Sequence, residues 1–213
     1  GWCGAIVAVV VVPLIITAPH GLWGSISYHL DRPLQLESTG AAYLMSLRTL
    51  AGVPLAVESS FGSQGLAGDG PQFVALISTV VLVVLVATIA YTLWRLLLTS
   101  PAMADSSLFV AAIATTCIAL LVAGKVLSPQ FLVWIIPGAV LVAGRMGRWA
   151  VVISVAALLV TQAYFPDDYW QLVALQTPQM GILILRDGLL IVLMALCWPR
   201  RAVATAAEKL SSA

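Results

Sequence analysis

Charged side chains are scarce in this sequence: Asp, Glu, Lys and Arg together make up only 9% of its 213 residues. Soluble domains carry about 25% charged residues, so this chain has too few charges to solvate the surface of a domain of its size. Hydrophobic residues account for 61% of the chain, and its mean hydropathy is +1.04. These values exclude an ordinary soluble domain and a disordered chain, and they favour a helical membrane protein.

Other absences narrow the function. A net charge of +1 provides no field that could hold nucleic acid, so we expect no nucleic-acid partner. No nucleotide-binding glycine loop, zinc-ligand set or Ser–His–Asp order occurs, and we expect neither a cofactor nor a metal. Cys3, Cys117 and Cys197 lie in apolar runs without a CxxC pair, which favours packing roles.

The apolar segments predict an all-α fold, a polytopic transmembrane bundle of about six spans. A spanning helix needs about 20 apolar residues. We expect residues 1–201 to form one transmembrane domain, with an extracytoplasmic loop at 18–72 and a cytoplasmic tail at 202–213. No basic segment precedes the first apolar run, so we expect the chain to continue a longer protein rather than to begin with a signal peptide. The predicted spans are Trp2–Thr17, Phe73–Leu98, Leu108–Gly124, Phe131–Gly144, Trp149–Tyr164 and Gly181–Trp198.

Basic residues set the predicted orientation in the plasma membrane, because cytoplasmic loops are rich in Lys and Arg. Alternating spans place one basic group on the cytoplasmic side: Arg95, Arg145, Arg148, Arg200, Arg201 and Lys209. Arg32, Arg48 and Lys125 fall on the extracytoplasmic side with most of the acidic residues. Amphipathic rings near the span ends are expected at the interfaces: Trp23, Trp134, Trp149, Tyr164 and Trp170.

The long loop between the first two spans contains one predicted helix. Residues Leu34–Ala51 follow Pro33 and place several leucines on one side, with Asp31 as the expected cap. We expect this helix to lie along the outer interface. Glu58–Gly70 is rich in Gly and Ser and predicts a flexible loop.

Two polar segments on the predicted outer side could form a site. Tyr28–Ser38 combines a phenol, an imidazole, a guanidinium, an amide and two carboxylates, which suits sugar hydroxyls and a phosphate. The alternative is a solvated loop whose charges cap a helix. Gly124–Gln130 carries Lys125 close to the hydrocarbon, which marks a functional candidate. The alternative there is a helical hairpin with a Lys whose ammonium group reaches the interface.

Two charged pairs elsewhere leave similar choices. Arg186 and Asp187 lie inside the last predicted span, where the arginine could hold a lipid phosphate or the two could form an internal ion pair. Asp167 and Asp168 could bind a divalent cation, but two neighbouring carboxylates alone are weak evidence, and an exposed turn is the favoured interpretation.

The two polar segments together resemble motifs of membrane glycosyltransferases of family 87. Tyr28–Ser38 is similar to the first motif and Gly124–Trp134 to the second, in the same order and about a hundred residues apart. The resemblance covers roughly residues 2–201. It implies a GT-C fold, of which this chain resembles the C-terminal half, and transfer of a sugar, often mannose, from a polyprenyl-phosphate donor to an extracytoplasmic glycolipid or glycan acceptor.

The resemblance also implies residue roles. The usual catalytic base of the family is an Asp upstream of the region that this chain resembles, so neither Asp31 nor Glu37 is assigned to that role. Cations would neutralise the departing phosphate, and polar side chains would bind hydroxyls. The implied substrate-binding residues are His29, Arg32, Gln35, Glu37, Lys125, Ser128, Gln130 and Arg186.

Two other functions remain open at this point. A transporter or flippase segment would use the intramembrane charges to line a substrate path, and those charges would continue toward the cytoplasmic side. A non-catalytic membrane scaffold would tolerate substitution throughout Tyr28–Ser38.

Overall fold

The computed structural model describes residues 2–99, 106–142 and 144–200, and this part of the chain is mostly helical. One β-hairpin interrupts the helices, so the expected all-α class holds for the bundle but not for the loop. In chain order the elements are α1 Trp2–Thr17, α2 Pro19–Asp31, α3 Thr39–Ala51, β1 Ala56–Ser60, β2 Ser63–Ala67, α4 Asp69–Thr99, α5 Ser106–Ala123, a 3₁₀ helix Pro129–Trp134, α6 Ile135–Leu141, α7 Gly144–Gln162, α8 Tyr169–Val173 and α9 Thr177–Cys197.

Three described helices, α4, α7 and α9, are long and apolar enough to cross a bilayer. A fourth span is possible if α1 and α2 count as one, although they bend by 110° at their junction. The expectation of six spans is therefore not confirmed. At 31 residues, α4 is about 46 Å long, well beyond the ~30 Å of hydrocarbon, so it tilts or projects from the bilayer.

The two middle predicted spans correspond to shorter apolar helices. Pro129 starts a 3₁₀ helix of six residues, which continues into the seven residues of α6. With their different rises these two helices extend only about 22 Å, less than the hydrocarbon thickness. The sequence analysis predicted a full span here because it counted apolar residues. Apolar composition does not show how long the resulting helices are.

The predicted loop 18–72 is largely ordered structure. Pro19 begins α2 at a first-turn position, where its missing N–H costs no hydrogen bond. No residue of α2 is buried; Trp23 is 65% exposed, and Ile26 and Leu30 are exposed on the same face. Because the axis of α2 is bent by 110° from that of α1, its exposed apolar face suits an interfacial helix.

The helix predicted at Leu34–Ala51 begins five residues later, at Thr39, and it is not an isolated interfacial helix. Ser38, not Asp31, is its N-cap: the Ser38 hydroxyl accepts a hydrogen bond from the Ala41 N–H at 3.2 Å. α3 packs against α4 and α9. Its buried side chains are Ala41, Ala42, Leu44 and Met45, whereas Leu50 is 85% exposed.

The segment expected to be flexible forms the antiparallel hairpin β1–β2. Its two-residue turn has positive φ at both Phe61 and Gly62, the backbone that right-twisted hairpins prefer. A phenylalanine is uncommon at such a position, so the usual Asn-Gly or Asp-Gly signal is absent from the sequence.

Apolar clusters assign the helix ends to two sides of the bundle. One cluster joins the hairpin and α3 to the first part of α4, to Tyr164 and to the first turns of α9. The other clusters contain the later part of α4 and the last turns of α9, including Cys197. We call these sides the hairpin end and the arginine end, because α7 begins at the latter with Arg145 and Arg148.

The expected packing role of cysteine holds for buried Cys197, while Cys117 is half-buried, and both are free thiols. The Thr115 hydroxyl donates to the Cys197 carbonyl at 2.6 Å and ties α5 to the last turn of α9. The side chain of Cys3 and the proposed tail at 202–213 lie outside the described residues.

The two ends of the bundle predict opposite labelling of introduced cysteines. In a chain whose three native cysteines are replaced by alanine, we expect Glu58→Cys to react with a membrane-impermeant maleimide added outside intact cells. Met146→Cys, which is exposed at the arginine end, is expected to react only after permeabilisation. Reaction of position 146 alone in intact cells would reverse the orientation.

Candidate functional site

The polar segment after α2 is held by the hairpin. Leu34 accepts a hydrogen bond from the Leu66 N–H at 2.9 Å, and the Leu36 N–H donates to the Gln64 carbonyl at 3.0 Å. The segment thus forms a single antiparallel bridge to β2, between Gln35 and Gly65. Gly65 allows this approach, because a Cβ there would lie 3.2 Å from the Leu34 carbonyl oxygen.

The two polar segments recognised in the sequence meet at Gln35, which is buried. Its backbone N–H donates to the Lys125 carbonyl at 2.9 Å. Its side-chain amide donates to the Ser128 hydroxyl at 3.0 Å. We call the group formed by Leu30, Gln35, Lys125 and Ser128, together with neighbouring Arg32, the motif junction. Residues ninety or more positions apart in the chain therefore form one local structure.

Two cations flank the motif junction. The Lys125 ammonium donates to the Leu30 carbonyl at 2.6 Å, and an Arg32 Nη donates to the Ser63 hydroxyl at 3.1 Å. Partial burial lowers the pKa of Lys125, and the neighbouring Arg32 charge lowers it further, while Asp31 opposes them. Arg32 Nε is buried and has no hydrogen-bond partner among the described residues. Arg32, Lys125 and the Asp31 carboxylate together leave a net charge of +1 beside the motif junction.

Other predicted site residues lie in more open positions. His29 and Gln130 are exposed, and Ser128 is half-buried. The His29 ring lies edge-on to that of Tyr28, whose hydroxyl donates to the Phe61 carbonyl at 3.0 Å. The hairpin turn thus braces the last turn of α2 and leaves the imidazole free to meet a ligand.

Glu37 lies at the centre of a buried polar cluster that also contains Tyr164, Arg186 and Asp187. The Tyr164 hydroxyl donates to one carboxylate oxygen of Glu37 at 3.0 Å. The Gln35 amide approaches the other at 3.4 Å and so connects the cluster to the motif junction. Burial raises the pKa of Glu37 from 4.5 to about 7, against the opposing effect of the Arg186 charge.

Arg186 does not lie where the sequence-based hypothesis placed it. Its side chain is 0% exposed, so a lipid phosphate could not reach it without opening the bundle. Its Nε is 2.7 Å from an Asp187 carboxylate oxygen, although that N–H is not aligned with the oxygen. One Nη donates to the Glu37 carbonyl and the other approaches the Tyr164 hydroxyl at 3.4 Å. Of the two alternatives that the sequence left open for Arg186, the structure therefore favours the internal ion pair.

Tyr164 is the member of the site that sequence reasoning missed. We expected it at the membrane interface, but the structure buries it to 1% exposure. Burial raises the pKa of Tyr164, so its hydroxyl stays protonated and donates to Glu37. The sequence contained a weak signal for this contact, because Tyr164 ends a predicted span on the same extracytoplasmic side as Glu37.

No metal site is evident in the part of the chain that the structure describes, which contains no group of three or more His, Cys, Asp or Glu side chains suited to a metal ion. Asp168, one of the two adjacent carboxylates considered for a cation, accepts a hydrogen bond from the Gln171 amide at 2.6 Å. This contact fits a turn before α8.

Comparisons with known proteins add no relative: no protein-family model, no curated protein and no solved structure matches the chain. The resemblance to glycosyltransferase motifs therefore depends on the sequence alone.

Among the four residues of the buried cluster, Arg186 carries the only positive charge. Removing that charge should lower the stability of the fold substantially. Arg186→Met leaves Asp187 and Glu37 without compensation, and we expect the free energy of unfolding to fall by about 3–5 kcal/mol. Arg95→Met, at an exposed position of α4, should change it by no more than about 0.5 kcal/mol. Chemical denaturation in detergent, followed by circular dichroism, measures both.

If Arg186→Met does not fold, the double variant Arg186→Met, Asp187→Leu provides a second measurement. It removes the adjacent acid together with the arginine, so we expect partial recovery of stability. Wild-type stability of the single variant would show that the cluster is not energetically important.

Glu37 predicts a pH dependence of stability. Because the folded chain binds the Glu37 proton more tightly than the unfolded chain, the unfolding free energy should be highest below pH 4.5 and fall as the pH rises to about 7. The contribution is about 3 kcal/mol, from a shift of that size. Comparing wild-type and Glu37→Gln denaturation curves across this range isolates it.

Glu58→Gln is the matched control, since Glu58 is exposed on β1. This variant should keep the pH dependence of the wild-type protein. An unchanged dependence in Glu37→Gln would assign the effect to another group.

Proposed function

We propose that this chain is part of a membrane glycosyltransferase that resembles family 87 and moves a sugar, of which mannose is the expected one, from a polyprenyl-phosphate donor to an extracytoplasmic acceptor. Its contribution is the binding of the donor phosphate at the motif junction. The acceptor is a glycolipid or glycan of the plasma membrane or cell wall.

The observation that carries this proposal is the pairing of Arg32 and Lys125. Two cations from distant parts of the sequence lie near enough for the Arg32 charge to lower the pKa of Lys125, although the Asp31 carboxylate raises it more strongly. Two cations and one carboxylate leave a net charge of +1 here, which still favours an anion. The Arg32 guanidinium is only half-buried, and its planar fork suits phosphate oxygens.

Phosphate chemistry gives these cations a role in the reaction. When the sugar leaves its donor, negative charge develops on the departing lipid phosphate, and fixed positive charges lower the energy of that transition state. His29 and Gln130, both exposed, could donate to phosphate or sugar oxygens. The base that activates the acceptor is expected from an upstream Asp, and no residue of this chain is assigned to it.

Glu37 and Arg186 are positioning residues in this proposal. Neither needs to touch the donor, because Arg186 holds the Glu37 backbone and Glu37 meets the Gln35 amide. Gln35 in turn contacts Lys125 and Ser128. The cluster thereby fixes the height and spacing of the donor-binding groups.

A transport path fits the described residues less well. The buried charged side chains among them are Glu37, Arg186 and Asp187. Deeper in α7, the hydroxyls of Ser154 and Thr161 donate to carbonyls one turn earlier in their own helix. Charges suited to a solute therefore do not continue to the arginine end, as an alternating-access path would require.

Substitution of the two cations tests the proposal. We expect Lys125→Ala and Arg32→Ala each to reduce binding and transfer from a radiolabelled polyprenyl-phosphate sugar by roughly tenfold or more, the effect of losing a charged hydrogen bond. Measurement uses membranes that contain, at equal expression, the full-length enzyme of which this chain is proposed to be a part, with extraction of the labelled product.

Arg48→Ala is the matched control, because Arg48 lies in the last turn of α3 on the same predicted side. It should bind and transfer as the wild-type protein does. Wild-type turnover by both Lys125→Ala and Arg32→Ala would remove the phosphate-binding assignment.

A further inference from the structure

A second cationic site lies at the arginine end, remote from the motif junction. There the first turns of α7 border a cavity of about 330 Å³, lined by Arg145, Arg148, Trp149 and Val152. These residues are spaced three, four and seven positions from the first, so they share one face of the helix. Such a cavity is large enough for a small polar headgroup.

Charge in this cavity is of one sign. Neither Arg145 nor Arg148 forms an ion pair within residues 2–99, 106–142 and 144–200, where the salt bridge found joins Arg186 to Asp187. Two guanidinium groups one helical turn apart repel each other in the absence of an anion. Their planar forks are well suited to phosphate oxygens.

The apolar lining distinguishes a lipid from a soluble anion. Trp149 and Val152 are 51% and 52% exposed, one and two turns further into α7 than Arg145. α7 is long and apolar enough to span a bilayer, so this order places the arginines at headgroup level and the apolar pair toward the hydrocarbon. A free phosphate would cover only the polar half of the cavity.

We propose that this face of α7 binds an anionic phospholipid, in the leaflet opposite the motif junction. Arg145 and Arg148 hold the headgroup phosphate, and Trp149 and Val152 contact the upper acyl chain. This site is independent of the glycosyltransferase proposal, since it uses no residue of the motif junction. A lipid bound at this site would fix the depth of α7 in the bilayer. The other end of α7 leads into Tyr164 of the buried polar cluster.

Fluorescence quenching by brominated lipids tests this assignment. The full chain is reconstituted in phosphatidylcholine vesicles containing either brominated phosphatidylglycerol or brominated phosphatidylcholine. The signal of Trp149 is the difference between the wild-type protein and Trp149→Phe. We expect brominated phosphatidylglycerol to occupy the site with roughly tenfold preference, as two interfacial arginines allow.

The double variant Arg145→Gln, Arg148→Gln should lose this preference, whereas Arg145→Lys, Arg148→Lys should keep part of it. Arg95→Gln, a predicted same-side cation outside the cavity, should behave as the wild-type protein. Circular dichroism establishes that each variant retains its helical content.

Equal quenching by both lipids in the wild-type protein would overturn the proposal, as would a preference that persists in Arg145→Gln, Arg148→Gln. Inorganic phosphate, added at constant ionic strength, separates the two sources of the anion. Displacement of the lipid preference by phosphate alone would identify a soluble-anion site and contradict the lipid assignment.

Discussion

The buried charge of Arg186 is the constraint on which the hairpin end of the bundle depends. A guanidinium deprived of water costs several kcal/mol unless counter-charge and hydrogen-bond acceptors surround it. Asp187 provides the counter-charge from the same helix, and the Glu37 carbonyl and the Tyr164 hydroxyl complete the enclosure. Three otherwise separate parts of the chain, before α3, after α7 and within α9, are thereby required to meet.

Glu37 and Gln35 connect the buried ion pair to the motif junction. With Glu37 fixed, the Gln35 amide reaches Ser128, and its backbone reaches the Lys125 carbonyl. The hairpin completes the support, because β2 pairs with the same segment where Gly65 permits close contact. The half-buried cations Arg32 and Lys125 thus depend on a buried ion pair on another helix, which explains how a short polar motif keeps a defined shape.

Sequence reasoning identified the two polar segments, the bounds of α1 and the approximate positions of the three long helices, because these depend on local composition. It did not predict that α2 is helical, and it did not predict that Tyr164 is buried, which follows from tertiary packing. The hairpin was missed because Phe61 occupies a turn position usually held by Asn or Asp. For Arg186, sequence could show that a charge lies inside a span, but the choice between ligand and structural partner required its surroundings.

The short connection that begins at Pro129 has a consequence for the lipid around it. Helices Pro129–Leu141 are about 22 Å long, whereas α4 extends about 46 Å in the same bundle. Acyl chains beside the short helices must compress or tilt, which costs a fraction of a kcal/mol for each ångström of mismatch. Thinning of this kind would lower the local membrane surface toward Ser128 and Gln130, so that polar groups at the start of the short helices meet water at a level that elsewhere lies within the lipid.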